Sequence, residues 1–406
     1  MTDHKRAVKL IMVTPDNNNK YYDMYDLGDG TFKAVWGRVD VTEQSKIYDI
    51  YEWDKIYRSK VKKGYKDVTH LHADKPTGSN GLNILSSDKH VQELITTLQG
   101  YANQTVKANY TVSAKGVTQA QVDEAQRIVD SLVSVVNIGS TSVLVNELLI
   151  ELFHIIPRKM KKVQEELIEN DLRSQYDLDN LNKIIDREQD LLDVMRGQVQ
   201  AYASQGDDDS ADLSKFGLTI SLVTEDRDLS LIKKMLGPNS RQFRKAYRVV
   251  NGTTQETFNA FLKKARIKMV KPYWHGSRNE NWWSIINNGL LIRPAGAIKT
   301  GAMFGNGIYF ADKAQKSIGY CSTYGSYWAG GRDNRGYLAL YDVHVGRWLH
   351  VKNHQSWMYN LNERNLKSRG DYDSLFAEGG YDLRNNEYIV YRPDQCTIKY
   401  VVEISS

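Results

Sequence analysis

The chain has little cysteine and no long apolar run. Only Cys321 and Cys396 occur among its 406 residues, which excludes a disulfide framework and any zinc module built on several cysteines. Residues 143–156 form the longest apolar region, but polar residues such as Asn146 interrupt them. They therefore predict an amphipathic helix and not a membrane span. The first residues lack the apolar core of a signal peptide, so we expect a soluble intracellular protein without zinc or membrane attachment.

The composition is that of a globular protein with more than one domain. A chain of 406 residues is too long for one ordinary core, so two or three domains are expected. The net charge of +5 says little by itself, because a local basic patch is what binds a polyanion. The 25 tyrosines and 8 tryptophans favour surfaces that stack on flat ligands.

Residues 1–80 alternate between apolar and polar positions in short runs. This pattern predicts strands at 8–13, 20–25, 31–36 and 46–51, followed by a helix at 53–62. Positive charge then concentrates near Trp36 and Arg38, on Lys55, Arg58, Lys60, Lys62, Lys63 and Lys66. Aromatic rings beside cations suit a nucleic-acid end, where a base is stacked and phosphates are neutralised. The alternative is a solvated helix face with Trp36 in the core.

The tripeptide Trp36-Gly37-Arg38 follows a strand–turn–strand unit and precedes a helix and the segment Lys63-Gly64-Tyr65. This order resembles the WGR domain over most of residues 1–75. The resemblance implies binding to the end of a DNA break. The implied DNA contacts are Trp36, Gly37, Arg38, Lys63 and Tyr65.

Helical periodicity dominates residues 85–206, after a linker at 70–81 that is rich in small and polar residues. The predicted helices are 90–101, 118–135, 143–156, 159–170 and 178–203, and no strand is predicted here. Thr118 and Gln121 have the spacing of a capping box. Residues 206–210 are acidic and predict an extended boundary to the next domain.

Three segments of this region, 116–119, 152–157 and 189–193, resemble the helical regulatory domain that precedes the catalytic domain in DNA-dependent poly(ADP-ribose) polymerases. The resemblance implies a bundle that restrains the NAD site until DNA binds. It also implies a regulatory contact at Asp193.

Residues 211–406 predict an α+β domain with mainly antiparallel strands. The predicted strands are 218–223, 247–250, 268–275, 307–311, 337–345, 387–391 and 397–404, and the predicted helices are 228–236, 255–265, 281–288 and 313–320. Gly305-Asn306-Gly307 lacks the spacing and the following helix of a dinucleotide fingerprint, which excludes a Rossmann site. The expected fold class is thus multidomain α+β: a small antiparallel WGR sheet with a helix (1–80), an all-α regulatory bundle (85–206) and an α+β catalytic domain (211–406).

Four motifs carry the chemistry: Trp274–Ser277, Phe304–Asp312, Lys316–Cys321 and Asn386–Tyr391. Taken singly, His275 fits a satisfied core histidine, Tyr309 core packing and Glu387 a solvated acid. Taken in this order, the motifs closely resemble the ADP-ribosyltransferase domain of poly(ADP-ribose) polymerases, in the His-Tyr-Glu class.

The resemblance implies NAD as the ADP-ribose donor and assigns residues to its parts. His275 would bind the adenosine ribose, and the backbone of Gly276 with the Ser317 hydroxyl would grip the nicotinamide amide. Tyr309 and Tyr320 would sandwich the nicotinamide ring. The remaining implied contacts are Ser277, Arg278 and Asn281, with a loop at 293–303 beside the donor.

Glu387 would be the third catalytic residue, with His275 and Tyr309. Its carboxylate would stabilise the oxocarbenium character of the ribose as nicotinamide departs, and would orient or deprotonate the acceptor. No metal is required by this chemistry.

Two positions depart from the family pattern. Asn306 stands where the family often has lysine, and Asn385 replaces an aromatic residue common in the acceptor pocket. These changes leave donor chemistry intact but bear on chain elongation and on the choice of acceptor.

We therefore expect a DNA-break-activated poly(ADP-ribosyl)transferase that modifies proteins, including itself, and also DNA. It would act in DNA repair as a monomer on DNA, in the nucleus of a eukaryote or otherwise with the nucleoid. The alternatives are a mono-ADP-ribosyltransferase, an NAD glycohydrolase or an inactive DNA-binding scaffold.

Overall fold

The computed structural model describes residues 6–38, 41–72, 82–138, 141–206, 208–292 and 303–406. The chain divides into two compact units. The first comprises Met1–Gly78 and Gln104–Tyr202, and the second comprises Ser79–Asn103 and Ala203–Ser406. Most of the predicted linker at 70–81 and of the predicted loop at 293–303 lies outside the described residues.

The first unit begins with a five-stranded antiparallel sheet of order β4-β3-β2-β1-β5. Its elements are β1 (Ala7–Thr14), β2 (Asn18–Asp26), β3 (Thr31–Arg38), β4 (Gln44–Asp49), α1 (Trp53–Lys62) and β5 (Lys66–Asp67). The helix packs on the sheet through Trp53, whose ring meets Phe32 edge-on at 5.0 Å. The four predicted strands and the helix are confirmed, whereas the two-residue β5 is too short to give a periodic signal.

Long helices follow in the chain: α2 (Lys89–Asn109), most of which belongs to the second unit, α3 (Gln119–Ile138), α4 (Ser142–Ile155) and α5 (Gln175–Gln205). The predicted capping box before α3 is confirmed, because Thr118 N donates to Gln121 Oε1 at 3.0 Å and Gln121 N donates to Thr118 Oγ1 at 3.2 Å. Helix α2 runs beyond its predicted end near Gly100, since Ala102 and Val106 continue its buried face.

The predicted helix at 159–170 is wrong. Only a short 3-10 turn, Val163–Glu166, forms there. Side chains hold this backbone instead of a helical ladder: Asn146 Nδ2 donates to Ile168 O, and Ile168 N donates to Asn146 Oδ1, both at 2.9 Å. Such side-chain bonds compete with helix formation.

Within the first unit, the sheet and the helices share buried hydrogen bonds. Val13 N on β1 donates to His154 Nε2 on α4 at 3.0 Å, and Asn19 Nδ2 donates to Arg158 O at 3.1 Å. The division into separate domains at 1–80, 85–206 and 211–406 stays a prediction.

The second unit is α+β. It includes a short parallel pair of strands, β6 (Ile84–Leu85) with β7 (Ala211–Asp212). The prediction that the middle region of the chain holds no strand is therefore wrong at β6. Two residues are too few for an alternating pattern to show in the sequence. The other strands are β8 (Leu218–Leu222), β9 (Phe243–Asn251), β10 (Val270–Gly276), β11 (Ile308–Phe310), β12 (Arg335–His344), β13 (Trp348–Val351), β14 (Ser374–Ala377), β15 (Glu387–Val390) and β16 (Cys396–Ser405). The helices are α6 (Asp226–Leu236), α7 (Gly252–Lys264), α8 (Trp282–Asn288), α9 (Ala314–Ile318) and α10 (Glu363–Ser368).

Two sheets of this unit meet at the ends of their strands. The orders are β10-β12-β16-β9-β8 and β11-β15-β14-β13, antiparallel except for β13 with β14. An isolated bridge joins them, with Trp274 N to Ala311 O at 2.8 Å and Ala311 N to Trp274 O at 2.9 Å. The end of β10 is thereby brought to the end of β11, which pairs with β15 and so lies next to Glu387.

Candidate active site

Glu387 is a buried acid at the first position of β15, with 5% of its surface exposed. Lys316 on α9 donates to Oε1, while Oε2 is buried and has no hydrogen-bond partner among the described residues. Burial raises the pKa of this carboxyl group, and the Lys316 ammonium partly opposes the rise. A buried acceptor left unpaired is costly, so Oε2 is suited to a hydroxyl donor supplied by a ligand.

Lys316 is a residue of the candidate site that sequence reasoning missed. It belongs to the third motif, but no role was assigned to it. Its partner lies far away in sequence, on another sheet, and no periodic pattern connects the two. The only signal is its position directly before Ser317.

Gly276 ends β10 against the backbone of α9. A Cβ on Gly276 would lie 1.9 Å from Ser317 O, closer than any real contact, so only glycine fits. Ser317 is itself buried. The structure thus brings together the two residues that were predicted to hold one amide.

His275 directly precedes Gly276, and a hydrogen bond of its imidazole ring fixes the orientation of the side chain. Its Nδ1 lies 3.0 Å from the carbonyl oxygen of Tyr309 and therefore carries the proton. Trp282, Phe310 and Tyr341 meet the imidazole edge-on. The predicted His275 and Tyr309 are therefore neighbours through β10 and β11.

Tyr309 has a fixed hydroxyl. It donates to Gly305 O at 2.7 Å and accepts from Phe304 N at 3.1 Å. Burial, followed by the Glu387 carboxylate, raises its pKa. The phenol therefore stays neutral, and its ring is the part that can face a ligand.

Tyr320 also lies in the field of Glu387. Burial and then that carboxylate raise the pKa of Tyr320 to about 12. The ring of Tyr320 stacks on Trp328, with centroids 6.1 Å apart and planes at 16°. The sandwich of a ligand between Tyr309 and Tyr320 stays a prediction.

Ser277, Arg278 and Asn281 lie on the connection from β10 to α8. Asn281 Nδ2 donates to Ser277 Oγ at 3.0 Å. Asn281 Oδ1 is buried and has no partner in the described part of the chain. Arg278 is exposed.

The second motif owes its glycines to packing. Gly305 has φ 75°, and a Cβ there would lie 2.2 Å from Leu361 O. A Cβ on Gly307 would lie 2.4 Å from Ile389 Cγ2. Asn306 N donates to Leu361 O at 2.8 Å. These packing contacts account for the two glycines, so a phosphate-binding role is not needed to explain them.

Asn386 fixes the chain before Glu387. Its Nδ2 donates to Asp312 Oδ2 at 2.7 Å, and its Oδ1 accepts from Gly379 N at 2.8 Å. The neighbouring Asn385 packs its backbone against Gly379, where a Cβ would lie 2.7 Å from Asn385 C.

A cavity of about 540 Å³ occupies another part of the second unit. It is lined by α7, the end of α8 and the start of β16, including Thr254, Gly289, Arg392 and Thr397. No predicted site residue lines it. The chemistry of Glu387 and its neighbours, not the size of a cavity, marks the candidate site.

Two of the predicted DNA contacts, Trp36 and Tyr65, pack against Tyr22 in the first unit. Trp36 stacks on Tyr22 at 5.5 Å, and Tyr65 meets Tyr22 edge-on at 6.5 Å. Lys60 Nζ lies 3.7 Å from the centroid of the Tyr22 ring. Lys63 is exposed.

Gly37 and Arg38 complete the tripeptide. A Cβ added to Gly37 would lie 3.5 Å from the ring of Tyr21. The Arg38 guanidinium donates to Asn17 O at 2.9 Å and Asn17 Oδ1 at 3.1 Å, with Lys161 O at 3.5 Å. Its hydrogen bonds thus fix it on its own unit.

Asp193 lies on α5. Its Oδ1 accepts from Arg196 Nη1 and from Gln189 Nε2, each at 2.9 Å. Of the described residues, no three histidine, cysteine or acidic side chains are arranged to hold a metal ion. No helix within the described ranges is long and apolar enough to cross a membrane.

Comparison with known proteins decides the family. The sequence profile of the poly(ADP-ribose) polymerase catalytic domain matches residues 230–379. A "Putative poly [ADP-ribose] polymerase-like 100L" of Invertebrate iridescent virus 6 is 31% identical over 188 residues, which cover 45% of this chain and 96% of the viral protein. The chain belongs to the poly(ADP-ribose) polymerase family.

The likeness extends beyond the catalytic part. "Uncharacterized protein 101L" of the same virus is 36% identical over 197 residues, covering 48% of this chain and 79% of that protein. "Poly [ADP-ribose] polymerase 2" of Zea mays is 24% identical over 470 aligned positions, covering 96% of this chain and 68% of the plant protein. The catalytic domain of this family is an ADP-ribosyltransferase that uses NAD as substrate. The profile match contains His275, Tyr309 and Ser317 and ends before Glu387.

Proposed function

We propose that this chain is a DNA-break-activated poly(ADP-ribosyl)transferase. It transfers ADP-ribose from NAD to protein acceptors, itself included, and to DNA, with release of nicotinamide. The observation that carries the transferase assignment is the buried Glu387 carboxylate: Lys316 holds one oxygen, and the other lacks a partner among the described residues.

We infer that residues of the same motifs hold the donor. The N–H and C=O of Gly276 and the Ser317 hydroxyl bind the nicotinamide amide, and the close approach of these two residues supports this role. Tyr309 and Tyr320 cover the two faces of the nicotinamide ring.

The adenosine half binds at the end of β10 and on the connection to α8. His275 bonds to the adenosine ribose, with the tautomer set by the Tyr309 carbonyl. Ser277, Arg278 and Asn281 complete this side, and the unpartnered Oδ1 of Asn281 is an acceptor suited to a hydroxyl or amino group.

The reaction exchanges one bond at C1′ of the nicotinamide ribose. The C1′–N bond breaks, and its electron pair leaves with nicotinamide, which becomes neutral. Glu387 Oε2 accepts a hydrogen bond from a ribose hydroxyl and stabilises the positive charge that develops on the sugar. The acceptor oxygen then bonds to C1′, and its proton passes to Glu387 or to water. The raised pKa of Glu387 improves it as a proton acceptor.

DNA activation is proposed from the resemblance of residues 1–75 to the WGR domain. The Trp36–Tyr22–Tyr65 cluster with Lys60 supplies ring faces and positive charge at one place. Gly37 and Arg38 directly follow Trp36 in β3, and the exposed Lys63 lies two residues before Tyr65 in the chain. The enzyme would act as a monomer on DNA in DNA repair, in a nucleus or with a nucleoid.

Residues 85–206 are proposed to restrain the NAD site until DNA binds. Asp193, held by Arg196 and Gln189, is the proposed regulatory contact. Asp193→Asn should then raise NAD turnover without DNA, and turnover equal to that of the unchanged protein would contradict this role.

A mono-ADP-ribosyltransferase or NAD glycohydrolase is the second candidate, because Asn385 stands where the family commonly has an aromatic acceptor residue. Labelled NAD, incubated with and without broken DNA and followed by gel sizing, separates these functions. A ladder that grows with DNA supports the first proposal. Single additions or free ADP-ribose alone would replace it with the second.

A further inference from the structure

A run of positive charge lies where α7 ends and β10 begins. Residues 263–271 contain five lysines and arginines and no acid. Strand β10 begins at Val270 and ends at Gly276, so its first residue lies about 20 Å from the glycine of the candidate site. The run therefore belongs to a different surface of the second unit from the site around Glu387.

Two other segments bring further cations to this run. The connection from β12 to β13 meets it where Val345 N donates to Met269 O at 2.9 Å, and this connection carries Arg347. The turn after α10 meets it where Arg266 Nη1 lies 3.9 Å from Asp371 Oδ2. We call the cations of the three segments the basic surface: Lys263, Lys264, Arg266, Lys268, Lys271, Arg347 and Arg369.

Ordinary structural roles account for only part of this charge. Lys263 and Lys264 end α7, where the helix dipole stabilises cations. Arg266 and Asp371 are both exposed, and an exposed ion pair at 3.9 Å contributes little to stability. Lys268 is exposed and has no ion pair among the described residues. The cations beyond the end of the helix are therefore left for an anion to neutralise.

Aromatic rings hold three of these cations. The rings are half-buried, and each has a cation over it, at a distance measured to the ring centroid: Lys271 over Trp348 at 4.9 Å, Arg347 over Tyr372 at 5.0 Å and Arg369 over Trp357 at 3.6 Å. Such contacts restrict long side chains before a ligand arrives, which lowers the entropic cost of binding.

The covered rings decide which polyanion fits the basic surface. Proteins that bind single-stranded nucleic acid offer open ring faces on which the bases stack. Here each ring is half-buried and already has a cation over its face. The basic surface thus offers charge and not stacking area, which suits the phosphates of a duplex whose bases stay paired.

We propose that the basic surface binds the sugar–phosphate backbone of double-stranded DNA. Arg266, Lys268 and Arg347 contact phosphates, and these contacts require neither a strand end nor a particular base sequence. The DNA contacts of the proposed function are Trp36 and other residues of the first unit. The basic surface is a separate contact on the second unit, and it does not depend on NAD chemistry.

A covalently closed DNA minicircle tests this proposal, because it offers a duplex backbone without an end. Fluorescence anisotropy of the labelled minicircle measures its binding to the full chain at several salt concentrations. In the double variant Arg266→Gln/Lys268→Gln, the affinity should fall about tenfold. The slope of the logarithm of the binding constant against the logarithm of the salt concentration should become less steep by about two, because two phosphate contacts are lost.

The matched control is Arg227→Gln/Lys234→Gln, which removes the same charge from exposed positions on α6. It should bind the minicircle as the unchanged protein does. Equal affinity and equal salt dependence in Arg266→Gln/Lys268→Gln and the unchanged protein would overturn the proposal. An equally large loss with poly-glutamate, or a larger loss with circular single-stranded DNA, would also overturn it, since the surface would then not select duplex DNA.

Binding without NAD separates this proposal from the proposed function. A protein that binds the minicircle through the basic surface and releases no nicotinamide from NAD would support the surface and remove the proposed function. A protein that releases nicotinamide, but whose minicircle binding is the same in Arg266→Gln/Lys268→Gln, would keep the proposed function and remove the surface.

Discussion

The site around Glu387 and the surface around Trp36 differ in what they present to a ligand. At the first site, the buried Oε2 of Glu387 lacks a hydrogen-bond partner among the described residues, and Gly276 packs so closely on Ser317 that no Cβ would fit. At Trp36, the ring is half-exposed and its Nε1 already donates to Gln44 Oε1 at 2.9 Å. The first arrangement positions single atoms, whereas the second presents area and charge. Single substitutions should therefore cost far more at the first region than at the second.

Gly276→Ala should give the largest effect. The added methyl group meets Ser317 O at 1.9 Å, so the end of β10 or of α9 must move. A displacement of about 1 Å near the reacting groups costs on the order of 10²-fold in rate. Nicotinamide release from NAD would measure it. Gly100→Ala on α2, where nothing lies within 4 Å of the new Cβ, is the control, and an equal loss in both variants would contradict the role of close packing.

Lys316→Met tests the electrostatic effect of the Lys316 ammonium on the Glu387 carboxylate. Burial raises the pKa of Glu387 and Lys316 opposes the rise, so removing the cation should raise the pKa further. The acid limb of the pH–rate profile for nicotinamide release should then move to higher pH, because the carboxylate must be ionised. We expect a loss of about tenfold in rate at neutral pH.

The exposed Lys313, just before α9, provides the control through Lys313→Met. An acid limb that stays in place or moves to lower pH in Lys316→Met would show that the ammonium does not act on Glu387.

Trp36→Ala should have a smaller effect, confined to the stimulation of turnover by DNA. Loss of one stacking ring should reduce the ratio of DNA-stimulated to unstimulated turnover about tenfold. Titration with nicked or blunt-ended DNA measures this ratio. Tyr176→Ala, at an exposed tyrosine of the same unit, is the control. Full stimulation of Trp36→Ala would place DNA sensing elsewhere.

His154 should affect stability and not chemistry, so its substitution should leave transfer unchanged. Burial, then Lys66, lowers its pKa to about 4, below the ordinary value of 6.5. Between these values the unfolded chain binds a proton that the folded chain does not, so stability falls as pH falls. The unchanged protein should lose about 2 kcal/mol more than His154→Gln between pH 7 and pH 5.

Urea unfolding at the two pH values checks this difference. His70→Gln, at an exposed histidine of the same unit, should behave as the unchanged protein does. A pH dependence that is identical in His154→Gln and the unchanged protein would show that His154 is not neutral when buried.

The sequence predicted the parts of the site that depend on local pattern. Alternation gave β10, β11 and β15, and the order of the motifs led to His275, Tyr309 and Ser317 as one set. The close packing of Gly276 on Ser317 was not predicted, because the two residues lie far apart in the chain. The strands could be predicted because alternation depends on residues near one another in the chain, whereas the set of site residues rests on the resemblance of the motifs to a known family.

The parts that failed depend on distant partners. The Lys316–Glu387 pair joins a helix to a strand of another motif, and no spacing indicates it. The segment 159–170 has helical composition, yet the Asn146 side chain takes its backbone groups. Strands β13 and β14 have four residues each and pair with one another, which is too little for alternation to reveal.

The most direct test of the account is the rate of ADP-ribose transfer by Glu387→Gln with labelled NAD and broken DNA. Glu256→Gln, at an exposed acid on α7, is the control, and thermal melting establishes that both variants are folded. The account predicts a loss on the order of 10²-fold or more in Glu387→Gln alone, because the buried carboxylate stabilises the charge on the sugar. Near-normal transfer by a folded Glu387→Gln would contradict it.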